Sequence, residues 1–147
     1  MLWHLFTETE KIVSVILVPF SILYILFSHE LSHLFIAYLA KWKIQAFKPY
    51  PHKNLNDGEW IGGAIYYEHS NKNMQYMPIM CCIPLWKSFI MSLFWLVISF
   101  KFYLPLVVFM IVEVSDYMSW WVGYWFRISD SDGWLFRYLR IVQKKKE

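Results

Sequence analysis

The sequence predicts a mainly α, integral-membrane fold. Its parts are a core of three membrane-spanning helices, a short β-containing loop between the first two, and a C-terminal amphipathic helix. Three observations carry that expectation. Hydrophobic residues make up 58% of the 147 positions, and charged residues only 17%, below the roughly 25% usual for soluble domains. Three apolar runs are each long enough to cross a bilayer, which takes ~20 helical residues. Between the first two runs lies a polar stretch with lysines, prolines and the turn signal Asn56-Asp57-Gly58.

The first run is expected to span residues 12–40. No residue from Ile12 to Phe27 is charged, and the apolar pattern continues to Ala40. Pro19 is placed to kink this helix, which lipid-embedded helices tolerate. A cleaved signal peptide is the rival reading. Its leading residues, Glu8 and Glu10, would have the wrong sign, and the run is too long. The loop, residues 41–76, follows. Lys43–Phe47 alternates weakly and Trp60–Tyr67 is β-prone, so one or two short strands, or a loose hairpin, are expected there. The second span is expected over 84–102, or from Pro78 with Lys87 snorkelling to the interface. The third covers 104–126. Arg127 and the polar segment 129–133 lead to an amphipathic helix from Trp134 to Val142 and a basic tail, Lys144 to Lys146. Length and the absence of repeats make residues 1–147 a single domain.

Charge placement orients this arrangement. The 41–76 loop holds five lysines, and the C-terminal segment holds Arg137, Arg140 and three lysines. An odd number of spans puts both on one side, which the positive-inside rule makes cytoplasmic. The N-terminus is then non-cytoplasmic. The formal charge of +3 is mild and suits a lipid surface better than a nucleic-acid groove. Adjacent Cys81 and Cys82 make a strained disulfide pair and read as small buried residues. Trp120, Trp121, Trp125 and Trp134 read as lipid-interface aromatics.

Chemistry concentrates in His29-Glu30-Leu31-Ser32-His33. Two histidines four apart share one face of a helix and can both reach one Zn²⁺. Glu30 beside them is placed to move a proton between water and a leaving amine. Burying three such side chains is costly: insertion scales put a charged residue at ~2.5–3.5 kcal/mol at a helix centre. They persist where they serve a function or find partners. A third ligand is needed. His4 lies on the wrong side of the predicted topology; His52 and His69 read as solvated loop histidines. Among the acids, Asp132 and Asp130 arrive at the depth of the motif when the third span returns. Gly133 allows close backbone approach beside the metal. Asp116 is a further candidate. Asp116 and Glu113, three apart on one face of the third span, either line a polar cavity and pair with Lys, or hold a metal-ligand histidine in its tautomer.

A His-Glu-x-x-His on a first core span, with an Asp-Gly near the end of a third, resembles the site-2 protease family of intramembrane metalloproteases. The resemblance covers the architecture of nearly the whole chain, but only the two short motifs are specific. It implies a zinc-dependent endopeptidase with His29, His33 and Asp132 as metal ligands and Glu30 as catalytic base and acid. The partner it implies is a membrane-associated protein or peptide substrate. It also implies a loop strand that pairs with extended substrate. The sequence departs from the family at Ser32, where glycine is usual. It carries no PDZ domain, and no Asn-x-x-Pro element precedes Asp132, so no substrate-binding asparagine carries over. A non-catalytic metal-binding membrane protein and a metal-free assembly factor or transporter subunit are the rival readings.

Overall fold

A computed structural model describes residues 6–55, 58–68, 71–128 and 131–144. His4, His69, Asp130, the turn residues Asn56 and Asp57, and Lys145 and Lys146 lie outside them. The first helix, α1, runs Glu8–Leu39. Its start is set by a capping box: Thr7 Oγ1 accepts from the Glu10 backbone N–H, and the Thr7 N–H donates to Glu10 Oε2 at 2.9 Å. The helix runs continuously through Pro19. It ends in a Schellman motif: Lys41 adopts φ 56°, its N–H donates to Tyr38 O, and the Trp42 N–H donates to Ala37 O.

Trp42 then turns inward and joins Ile36, Ala37, Ala40 and Met80 in the buried apolar cluster, against Tyr67 and Met77. This cluster braces the end of α1 against the loop. The loop forms four short strands, more than the sequence predicts: β1 Lys43–Lys48, β2 His52–Lys53, β3 Trp60–Ile61 and β4 Ala64–Glu68. β1 pairs antiparallel with β4, with an irregularity between Ile44 and Ala46, and β2 pairs with β3. The result is one long bent hairpin. Gly62 and Gly63 sit at the bend, between the two ladders. His52 is buried; its ring bonds Tyr50 O at 2.7 Å and the Tyr66 hydroxyl at 3.1 Å. It braces the hairpin and is not a solvated loop side chain.

After a 3-10 turn at Asn71–Tyr76, α2 runs Met77–Lys101. It starts at the earlier of the two expected points, beside Pro78 rather than at 84, because Pro78 falls in the first helical turn, where its missing N–H costs nothing. A 3-10 turn at Leu104–Leu106 leads into α3, Val107–Phe126, and α4 runs Asp132–Lys144. Among the described residues three helices are long and apolar enough to cross a membrane. Large apolar side chains such as Val15, Phe20, Leu23, Trp86 and Phe126 stay exposed. Small serines (Ser14, Ser21, Ser88 and Ser99) are buried, a pattern that suits helices packed in lipid.

Two expectations fail here. Lys87 does not snorkel outward; it points into the bundle, with its side chain 15% exposed. Trp120 is buried, not lipid-facing: its indole N–H donates to Cys81 O at 2.6 Å and its ring stacks on Tyr124. Interior partners on the neighbouring helices compete with lipid for both side chains. Cys81 is buried and Cys82 half-buried, both as free thiols.

Candidate metal centre

α1 delivers His29, Glu30 and His33 from a single turn. Asp132 comes from the first residue of α4, just after Ser131, whose hydroxyl accepts from the Trp134 N–H at 3.3 Å and caps the helix. What brings α4 close is Gly133. A Cβ there would run into the carbonyl oxygen of Trp120 and stand 2.7 Å from Tyr124 N. The glycine therefore serves a backbone-to-backbone crossing of α4 over α3, rather than an approach to the metal. Arg137, one turn on, secures that crossing by donating to Tyr124 O at 3.0 Å.

Three ligand atoms converge. His29 Nε2 and His33 Nε2 are 3.3 Å apart, and Asp132 Oδ2 lies 3.2 Å from the first and 3.1 Å from the second. Tetrahedral coordination with bonds of ~2.0–2.1 Å separates ligand atoms by about 3.3–3.4 Å. The observed triangle fits within ~0.2 Å, the tolerance expected of a real site. The group His29, His33 and Asp132 could hold a metal ion. Burial pushes the Asp132 carboxyl up, but the charges and hydrogen bonds of the two imidazoles outweigh it and hold the group well below the usual carboxylate range. It therefore presents an anionic oxygen.

Behind His29 stands a second carboxylate. Asp116 oxygens lie 3.0 and 3.1 Å from His29 Nδ1. An ionised carboxylate only accepts, so Nδ1 carries a proton, and Nε2 is the nitrogen turned toward His33 and Asp132. This is the carboxylate–histidine pairing that orients metal ligands. Asp116 thus sits on the far side of His29, and Asp132 completes the triangle. Asp116 Oδ2 accepts from Ser88 at 2.6 Å and faces the Lys87 ammonium at 3.4 Å. Lys87 also meets Glu113 at 2.9 Å, and Tyr24 donates to the other oxygen of Glu113 at 2.8 Å. Both roles open for the two acids are filled: Asp116 holds a histidine, and Glu113, fully buried, pairs with lysine. His33 Nδ1, by contrast, is buried with no partner among the described residues.

Glu30 faces the same cavity, of about 610 Å³, as the triangle does. The far wall of that cavity is the hairpin bend. A Cβ on Gly63 would stand 2.8 Å from Glu30 Cγ and 3.0 Å from Oε1. The strand backbone therefore passes directly over the glutamate.

The structure brings all four motif residues together across about a hundred positions of sequence. Sequence reasoning missed Lys87, Ser88 and Tyr24 behind the site and Gly62-Gly63 above it. One lysine facing two acids in apolar helices was a legible signal for the first group. A tandem glycine in a β-prone run signals close backbone approach. No family model matches the chain, and no match is found among the curated proteins or the solved structures.

Proposed function

We propose that this chain is a zinc-dependent endopeptidase of the membrane, resembling the site-2 proteases, that cleaves a membrane-associated peptide at the end of α1 that carries the motif. The observation that supports it is the near-equilateral Nε2–Nε2–Oδ2 triangle with Glu30 beside it on one cavity wall. Two imidazoles and a carboxylate are a zinc donor set that leaves a fourth position open. A zinc ion held there supplies a Lewis acid for the scissile carbonyl and acidifies water.

The protein's own groups do the rest. Glu30 takes a proton from the attacking water and hands it to the departing amine. Asp116 keeps His29 in the ligating tautomer. Substrate enters extended, because a helix hides its carbonyls. Among the described residues neither ladder includes Gly62 or Gly63, and this break beside Glu30 is where an extended substrate would pair. By the positive-inside rule, the lysines of the loop and the arginines of α4 favour a cytoplasmic location for this end and a non-cytoplasmic N-terminus.

The test is purified protein in nanodiscs, loaded with zinc and given a library of transmembrane peptides read by mass spectrometry. Wild type cleaves and Glu30→Gln does not; equal turnover by the two sinks the mechanism. The missing Asn-x-x-Pro element favours a second reading, a metal-binding membrane protein without catalysis. Zinc bound by wild type with no peptide cut would select it.

A further inference from the structure

Lys87 has no part in the proposed chemistry, yet it is the least expected charge in the bundle. Its ammonium is approached by three partners from two helices. Ser28 Oγ on α1 lies at 3.2 Å, Glu113 Oε2 on α3 at 2.9 Å and Asp116 Oδ2 on α3 at 3.4 Å. The Glu113 end is itself anchored, since Tyr24 donates to Oε1 and receives the Trp95 indole N–H at 3.3 Å. A lysine stem is flexible. Here its head is fixed by groups that are themselves fixed, and its one contact toward the site is the carboxylate that orients His29.

We propose that Lys87 is a positioning residue for the metal centre: it holds Asp116 in the orientation that presents His29 Nε2 to the ion. This rests on the reading of His29, His33 and Asp132 as a metal site. The chain of contact runs from Tyr24 through Glu113 and Lys87 to Asp116 and His29. α2 thereby controls a ligand on α1 without touching it.

Lys87→Met alone would strand the buried Glu113, so the informative comparison is Glu113→Gln against Glu113→Gln/Lys87→Met. The first keeps the ammonium on Asp116; the second removes it without stranding a buried charge at position 113. Full-length protein in detergent is titrated with Co²⁺, following its visible d–d bands, and with Zn²⁺ against a competing chelator. Thermal melts run alongside. Removing a positive charge near a cation site tightens cation binding by relieving Coulomb repulsion. Positioning predicts the opposite. The double variant should bind about tenfold more weakly than Glu113→Gln, with altered d–d bands and a similar melting temperature.

Equal or tighter binding by the double variant overturns the proposal and leaves the metal-site reading intact. Absence of Co²⁺ and Zn²⁺ binding by wild type overturns both. Ser28→Ala decides the matter if the double variant does not fold. It loosens one anchor of the ammonium without altering charge and should weaken binding about threefold; unchanged bands and affinity in that variant overturn the proposal.

Discussion

Replacing Gly133 by alanine tests the structural logic of the site most directly, because the perturbation is one methyl group and its obstacles are backbone. The added Cβ meets Trp120 O and stands 2.7 Å from Tyr124 N. Ordinary contact begins near 3.4 Å, so relief needs a retreat of about 0.7 Å from Tyr124 N alone, before the Trp120 carbonyl is considered. Neither obstacle can rotate away, since both belong to the α3 backbone. The movement therefore falls on the first turn of α4, where Asp132 is the adjacent residue. A metal site tolerates ~0.2 Å in its ligand distances. A shift several times larger takes Asp132 Oδ2 out of the triangle. The predicted outcome is overpacking worth about 1–3 kcal/mol, together with zinc affinity lowered by about 10–100-fold at 1.4 kcal/mol per decade. Chelator competition and a thermal melt in detergent measure the two effects. Gly123→Ala presses on the same crossing from the α3 side, since its Cβ would stand 2.7 Å from Ser131 Cβ, which rotation of the hydroxyl does not relieve. Zinc affinity unchanged in Gly133→Ala would show that the α3–α4 crossing does not set the position of Asp132.

Other expectations follow from the same geometry. Glu30→Gln keeps the shape of a side chain that lies outside the ligand triangle, so turnover falls by about 10²–10⁴ while zinc content measured by mass spectrometry stays at the wild-type level. Asp116→Asn weakens the acceptor behind His29 and lowers zinc affinity by about 10–100-fold; a Kd within twofold of wild type would refute the tautomer argument. Gly63→Ala presses a methyl onto Glu30 Cγ at 2.8 Å and should reduce turnover more than it reduces zinc affinity, separating the glutamate from the ligands. Trp120→Phe leaves Cys81 O without its indole donor and lowers stability by about 1–3 kcal/mol, read as a lowered melting temperature.

The apolar runs exposed the three long helices, and helical spacing exposed the pairing of His29 with His33. Those signals are local, and so they are readable from sequence. The errors share one cause, which is competition between lipid and interior for the same side chain. Lys87 in an apolar run is compatible with snorkelling or with burial, and only its approach to Ser28, Glu113 and Asp116 decides between them. Trp120 reads as an interface aromatic until its indole is seen donating to a carbonyl of the neighbouring helix. Asp132 is eligible as third ligand by depth, and Asp116 is the runner-up. They differ in which nitrogen of one imidazole they face, Nε2 for the first and Nδ1 for the second, and that distinction has no trace in spacing. The strand count was low because β2 and β3 are two-residue ladders, too short for periodicity to register.

Charge balance bears on what the triangle is for. Setting aside Glu30, three carboxylates (Glu113, Asp116 and Asp132) share this interior with one ammonium, Lys87. Two negative charges remain, and burying them uncompensated is expensive. Two imidazolium ions would cancel them, but the rings face each other with Nε2 atoms 3.3 Å apart and centroids at 5.0 Å. Two positive charges at that separation repel by about 3 kcal/mol at an effective dielectric of 20, and their two N–H bonds would converge on the single oxygen Asp132 Oδ2. A divalent cation cancels the same two charges while converting the close nitrogens from a liability into ligands. The polar groups behind the site then have a common purpose. Lys87 offsets the carboxylate that orients His29, so that the full dication remains matched to Asp132 and to the one further negative charge left in the cluster. By this reasoning a neutral packing role for the cluster is the costlier alternative, and metal binding should stabilise the fold as well as complete the site.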